Sequence, residues 1–350
     1  MEKVLCDKKY SFEGKELKGM GIEIIHACNA KCSFCCMGYN SGLQKVTNIF
    51  TGESWIKEHK LMDWELIKNI FERHKPELFI LTGQSEPFLD PRINNILEYS
   101  DKIGINNFKL SIFSNANSMT EKVLDKLIPN KKFISINFSL NAFSDETRID
   151  LMNLSYKKAK DNIMMFLEKR RKYGRENVFD VGNGNYDDSN QDLRVGISFI
   201  MAHGIREDGK FVSNIKEIRP FKQYWNNILH EYHCNNQVGI FPSGNWAGGV
   251  PRKVLYQQFE IENSNGCGQF ECGGPTVDVD GQIMLCCYNS SISFGSILDN
   301  EAMERWLNRK EILNIGKRKD GKLEYYPPTC KDCSFRYVPQ SPTHYGIVGE

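Results

Sequence analysis

The cysteines constrain this chain more than any other feature. Of its 350 residues, 12 are cysteine, and most fall in two groups. Cys28, Cys32, Cys35 and Cys36 form the first; Cys267, Cys272, Cys286, Cys287, Cys330 and Cys333 form the second. Cys6 and Cys234 stand alone. A disulfide framework would not leave the stretch between the groups almost empty, whereas two separate metal centres would. No apolar run reaches the roughly 20 residues of a membrane helix, and the first residues hold no signal-peptide core. The protein is therefore expected in the cytoplasm, a reducing compartment where clustered cysteines bind metal or do redox chemistry. A net charge of +1 supplies no field for nucleic acid or an anionic membrane, so neither is expected as a partner.

A composition of 40% hydrophobic and 25% charged residues suits a catalytic domain with a smaller appendage. From residue 21 to about 240, β-rich runs alternate with amphipathic stretches. Strands are predicted at Gly21–Ile25, Leu78–Thr82, Phe108–Ser114, Ile134–Leu140, Val195–Met201 and Gln237–Phe241, with helices near 62–74, 91–100, 119–127, 155–173 and 215–231. Such alternation predicts an α/β fold with a parallel sheet and ligands at the strands' C-terminal ends. Six β/α units fall short of the eight of a closed barrel, so a partial (β/α)6 TIM-like barrel is expected. Residues 38–60 and 174–192 read as insertions. After Phe241 a turn-rich connector leads to a hairpin signalled by Asp280-Gly281. The expected layout is an N-terminal extension (1–18), the barrel (19–241), a connector (242–264), a small hairpin-plus-helix domain (265–337) and a tail (338–350).

Directly after the first predicted strand comes His26-Ala27-Cys28-Asn29-Ala30-Lys31-Cys32-Ser33-Phe34-Cys35. The spacing C-x3-C-x2-C lets three thiolates bind three irons of a 4Fe-4S cluster and leaves a fourth iron open to a small molecule. A structural zinc knot is the plainer alternative, but zinc takes four ligands in paired spacings, and a fourth here would have to be His26 or Cys36. The motif resembles that of the radical S-adenosylmethionine (SAM) superfamily, with Phe34 in its aromatic place. The resemblance implies that SAM chelates the open iron and is cleaved by one electron to methionine and a 5′-deoxyadenosyl radical. That radical then takes a hydrogen from substrate.

Further segments resemble the family at successive strand ends. Gly83-Gln84-Ser85-Glu86 stands where the family has Gly-Gly-Glu, with Gln84-Ser85 replacing the second glycine. Glu86 is the expected acceptor for the SAM ammonium, since a cationic amine needs an acceptor-only partner. Ser114-Asn115-Ala116-Asn117 is similar to the family's Thr-Asn-Gly turn. The resemblance also implies ribose contacts from Ser139 and Asn141, a SAM-carboxylate contact from Arg148, and an adenine-facing position for Gly239 and Ile240.

In the second group, a hairpin brings together cysteines near its two ends, and a later C-x2-C supplies two more thiolates, enough to ligate another 4Fe-4S cluster. The segment resembles the auxiliary-cluster domain called SPASM in its one-cluster twitch form. The ligands so implied are Cys267, Cys286, Cys330 and Cys333. Cys272 is the alternative to Cys267; only 8 residues separate it from Gly281, short for the family pattern. Cys36 and Cys287 directly follow ligands and should face away from them. A zinc ribbon is the competing reading for these four cysteines.

The layout resembles twitch-bearing aminocyclitol dehydrogenases, which implies oxidation of a sugar, aminocyclitol or related metabolite with the auxiliary cluster as electron acceptor. Radical modification of a ribosomally made peptide is the alternative. The 27 residues before Cys28 are too few for the recognition domain many such enzymes carry. A non-enzymatic zinc-binding or nucleic-acid-binding protein is a remote third reading, opposed by the absence of a basic stripe. The family further implies flavodoxin or ferredoxin as electron donor. His230 and His233 lie one helical turn apart, without a third ligand at useful spacing.

Overall fold

The structure is a computed structural model that describes residues 19–39, 44–74, 78–81, 84–176, 192–206, 208–234, 238–243, 274–287, 289–313, 318–319 and 322–323. Cys267, Cys272, Cys330, Cys333, Gly83, the connector from residue 244 onward and both chain ends lie outside these residues. Six strands form the parallel core: β1 (Gly19–Ile22), β4 (Leu78–Leu81), β5 (Lys109–Ser114), β6 (Phe133–Ser139), β7 (Arg194–Met201) and β10 (Gly239–Pro242). They neighbour one another in chain order. Right-handed crossovers in that order put every helix on one face, and the sheet curls into a partial TIM-like barrel.

The helix face is apolar because each strand turns alternate residues toward it. Phe79, Phe138 and Phe199 meet Phe71 of α2 (Trp64–His74), Phe166 of α6 (Tyr156–Lys172) and Phe221 of α7 (Ile218–Glu231), with ring centroids 4.7, 5.4 and 4.7 Å apart. The predicted strands and helices all occur, with ends shifted by up to two or three residues. Several elements were not predicted. Residues 44–57, read as part of an insertion, form a hairpin of β2 (Gln44–Asn48) and β3 (Ser54–Lys57). A second hairpin pairs β8 (His203–Ile205) with β9 (Phe211–Ser213). Helix α5 (Asp145–Met152) is capped by the Ser144 hydroxyl, which accepts from Thr147 N–H, and ends at Asn153 with φ 55°. His233, expected one turn along a helix from His230, instead lies beyond the end of α7 with φ 48°, so the two share no helix face.

The Asp280-Gly281 turn forms as expected, with Gly281 at φ 75° between β11 (Thr276–Val277) and β12 (Gln282–Cys286). A Cβ on Gly281 would come within 2.9 Å of Leu66, so packing as well as backbone requires glycine. This hairpin is joined to the barrel: β11 pairs in parallel with β1, and β13 (Asn289–Ser296) passes the sheet on to β2. The sheet beyond β1 is thus continued by β11 to β13 and then by the 44–57 hairpin, segments from two distant parts of the chain.

An ion cluster buried at that junction ties the three segments. Glu23 accepts from Lys57 Nζ at 2.8 Å and lies 2.8 Å from His26 Nδ1; Asp278 Oδ2 stands 4.0 Å from Lys57 Nζ. Each of the four side chains is 2% exposed or less. Lys57 and His26 hold the Glu23 carboxyl at about 2 against the opposing effect of burial. Asp278 goes the other way: burial pushes it up to about 6, and its Oδ2 has no hydrogen-bond partner. A carboxyl raised on folding contributes stability that is present below its unfolded value near 3.8 and lost as pH rises through about 6. Asp278→Asn is therefore expected to be more stable than the wild type at pH 8, by on the order of 2 kcal/mol, with the gap closing toward pH 4. Lys57→Met, which strands Glu23, should cost about 3–5 kcal/mol at neutral pH. Urea unfolding across pH measures both.

Candidate active site

The first cysteine group occupies the loop above β1. Lys31 N–H donates to Met152 O (2.8 Å) and Ser33 N–H to Leu151 O (2.9 Å), so the end of α5 fastens the loop from one side. From the other, Glu86 N–H donates to Ala27 O at 2.9 Å. Phe34 is buried with Ala30, Leu151 and Met152, and Cys28 and Cys32 pack against that apolar cluster. None of the seven described cysteines forms a disulfide. Burial pushes the Cys28 thiol up to about 12, and burial together with neighbouring Cys35 and Cys28 raises Cys32 well above its usual value. Buried this close together, Cys28 and Cys32 resist ionising until a cation joins them. Among the described residues no three His, Cys, Asp or Glu side chains are set for one metal ion; thiols that ligate three different irons need not converge on a single point.

Asn115 sits at the centre of the site. Its N–H donates to Glu86 Oε2 (2.7 Å), its Nδ2 donates to Asn29 Oδ1 (2.7 Å) and lies 3.9 Å from Cys28 Sγ, and its carbonyl accepts from Arg148 Nη2 (2.6 Å). Glu86, 1% exposed, also accepts from Ser114 Oγ (2.7 Å) and Phe88 N–H (3.3 Å). Burial still pushes its carboxyl up to about 7. Arg148 is 0% exposed; burial lowers it to about 10, and Cys32 is the foremost of the neighbours that favour its charge. Its Nη2 also reaches Asn117 Oδ1, but Nε and Nη1 have no partner. Beside the three thiols there is thus a buried acid in need of a cation and a buried cation with two unmet donors.

The structure brings Phe34, Glu86, Ser114, Asn115 and Arg148 together around the cysteine loop. Gln84 Oε1 and Ser85 Oγ are buried without partners in the segment leading to Glu86. Ser139 ends β6, its hydroxyl 3.3 Å from that of Ser198. Asn141, at φ 60°, is engaged in the fold: Oδ1 accepts from Ile200 N–H and Nδ2 lies 3.6 Å from the Met152 sulfur. Ile240 pairs with Phe199 and shares its helix-facing side, while Gly239 pairs with Ser198 on the inner face. Cys286 ends β12; Cys36 is buried at the start of a short helix. The Glu23–His26–Lys57 cluster beneath the loop has no local sequence signal, because Glu23 and Lys57 lie 34 residues apart.

Ala116, where the family turn has glycine, holds φ 67° while fully buried. A left-handed L-residue costs about 1–2 kcal/mol, and replacing it with glycine restores about 0.5–1 kcal/mol of unfolded-state entropy. Ala116→Gly is expected to raise the unfolding midpoint slightly and Ala116→Val to lower it. Asn115→Ala, which leaves the Asn117 N–H donor unmet, should cost about 1–3 kcal/mol. Calorimetric scans of the metal-free protein check all three.

Three solved structures are similar to this chain at low identity. BtrN in complex with AdoMet and 2-DOIA shares 13% identity, covering 91% of this chain and 92% of that one, with a TM-score of 0.48. Native anSMEcpe with bound AdoMet and Kp18Cys peptide shares 13%, covering 91% and 86%, at 0.49. Streptococcus suis SuiB bound to precursor peptide SuiA shares 14%, covering 83% and 64%, at 0.45. No curated protein matches the chain by sequence. The family match runs from residue 22 to residue 195, taking in the cysteine loop, Glu86, Asn115 and Arg148. Over that stretch the chain belongs to the radical SAM superfamily.

Proposed function

We propose that this chain cleaves SAM reductively at a 4Fe-4S cluster held by Cys28, Cys32 and Cys35, and uses that chemistry to dehydrogenate a sugar, an aminocyclitol or a related small polyol. One observation carries the reading: Glu86 and Arg148, opposite in charge and both buried, flank the three thiols with incomplete partners. The methionine end of SAM is a zwitterion. Its ammonium answers the raised Glu86 carboxyl, and its carboxylate answers the Nε and Nη1 donors of Arg148. The reduced cluster, when bound, supplies the electron that breaks the sulfonium bond.

The chain's own residues do the positioning. Asn115 locks Glu86 and Arg148 to the cysteine loop through three backbone and side-chain bonds, so the two charges are fixed before ligand arrives. Phe34 and the α5 end close the loop against water. Gly83, Gln84, Ser85, Ser114, Ser139 and Asn141 are assigned to the nucleoside side of the site; Ile240, expected there, turns its side chain to the helix layer instead. The dehydrogenase reading rests on the second cysteine group: Cys286, with Cys267 (or Cys272), Cys330 and Cys333, would hold an auxiliary 4Fe-4S cluster able to take the substrate's second electron. A flavodoxin or ferredoxin would reduce the first cluster. Among the described residues no helix is long and apolar enough to cross a membrane.

Reconstituted without oxygen, the protein is expected to carry about eight irons, and on reduction to turn SAM into 5′-deoxyadenosine and methionine. Cys32→Ala should abolish that product. Arg148→Met should weaken SAM binding about tenfold or more in equilibrium dialysis. Equal deoxyadenosine from wild type and Cys32→Ala would refute the proposal.

A further inference from the structure

Three buried side chains on neighbouring helices carry polar hydrogens that the fold does not use. Arg148 of α5 leaves Nε and Nη1 unmet, the Tyr156 hydroxyl at the start of α6 has no partner, and neither has Trp225 Nε1 of α7. Arg148 and Trp225 are 0% exposed and Tyr156 is 8% exposed. The fold holds them close. Asn117 Oδ1 accepts from Arg148 Nη2 at 3.0 Å, while Asn117 Nδ2 donates to the carbonyl of Ser155, the residue before Tyr156, at 3.2 Å. Tyr156 N–H in turn donates to Asp145 Oδ1 at 2.8 Å, one turn before Arg148 on α5. Burial pushes the Tyr156 hydroxyl up, and the Trp225 indole N–H and the Arg148 charge oppose that rise. Burial lowers Arg148, and Cys32 and then Tyr156 are the neighbours that most favour its charge.

We propose that Tyr156 is a further ligand of the SAM carboxylate, aligned for it by Trp225; the inference rests on the reading above that sets the methionine end of SAM between Glu86 and Arg148. The donors and acceptors lead there. An indole N–H and a guanidinium can only donate, whereas a phenol can donate and accept at once. In the bound state Trp225 Nε1 donates to Tyr156 Oη, and the hydroxyl passes its own hydrogen onward. Ahead of it stands Arg148, which offers no acceptor. A group between the two must therefore accept from both sides and carry negative charge, as a carboxylate with two oxygens does. Aromatic rings wall the place off: Phe143 lies 5.8 Å from Tyr156 and Tyr224 lies 5.3 Å from Trp225, measured between centroids. A hydrogen bond to a charged acceptor is stronger in such a dry setting than at a surface. The hydroxyl left unmet in the free protein weakens the fold slightly, and SAM removes that weakness on binding.

Equilibrium dialysis of the anaerobically reconstituted protein compares SAM with decarboxylated SAM, which keeps the ammonium and the nucleoside. The wild type is expected to prefer SAM, and Tyr156→Phe to narrow that preference about tenfold by weakening SAM alone. Trp225→Phe should narrow it about threefold, and adding that change to Tyr156→Phe should alter nothing further. Tyr156→Phe keeps the ring and removes an unmet buried hydroxyl, so without SAM it is expected to unfold at or above the wild-type midpoint. A preference undiminished in Tyr156→Phe overturns the inference, as does an equal loss of affinity for both ligands, the result of a merely structural role. Deoxyadenosine from the reduced wild type is measured alongside. If it forms while Tyr156→Phe keeps the full preference, this inference alone is removed. A preference that narrows in Tyr156→Phe without deoxyadenosine from the wild type removes the proposed function alone.

Discussion

Four ionisable side chains that water cannot reach must find one another, and this requirement fixes the edge of the barrel. Glu23 stands just past β1, Lys57 ends β3, Asp278 opens the C-terminal turn, and His26 leads into the cysteine loop. A buried carboxylate left without its ammonium would cost several kcal/mol, so β1 is stable in place only when the 44–57 hairpin and the 276–296 strands are docked around it. Hydrogen bonding runs on through the same junction, from β1 to β11 and from β13 to β2. The loop holding the first three cysteines therefore starts from a strand that is paired on both sides and charge-locked at its end. The same lock gives β11 and β12 a fixed place beside β1, with Cys286 at the end of β12 two strands away.

The site above this junction is organised by a shortage of partners. Ordinarily a buried guanidinium spends most of its donors, as Arg175 does in donating from both Nη atoms to the carbonyls of Ile128, Asn130 and Phe133. Arg148 spends one nitrogen and leaves two. Glu86 is hydrogen-bonded by neutral groups yet still raised to about 7, because three neutral donors do not replace a cation. Both groups are dry, so any charge that arrives to complete them is attracted more strongly than it would be at a surface. The polar atoms that the fold leaves unmet are the imprint of a ligand with both charges.

Much of this was legible in the residues. All six core strands were readable from β-rich runs, and the cysteine loop, Glu86, Asn115 and Arg148 were readable from spacing and from likeness to a family. What was not legible depends on contacts between distant segments. Lys57 carries no sign in its own neighbourhood that it will be buried against Glu23 and Asp278. Helix α5 escaped because DETRIDLM has little apolar periodicity, although the Ser144 cap followed by Asp145 and Glu146 is a helix-start signal. The 44–57 hairpin escaped because its strands, QKVTN and SWIK, are short and polar and are stabilised by β13 rather than by each other alone.

The inner face had its own signal. A parallel sheet covered by helices on both sides is built of strands that are apolar throughout. These strands alternate instead: FISINFS and much of RVGISFIM place serine, asparagine or glycine at every second position, and KLSIFS sets Ser111 between Lys109 and Phe113 on the same face. Alternation in a parallel sheet means that only one face is packed, which for strands in sequential order is the outer one. The other must meet solvent or a polar ligand. A sheet selected for stability alone would fill that space with valine and isoleucine, as closed barrels do. Here two of the inward positions are phenylalanines left exposed beside hydroxyl and amide groups, a mixture that neither water nor a hydrocarbon core satisfies fully.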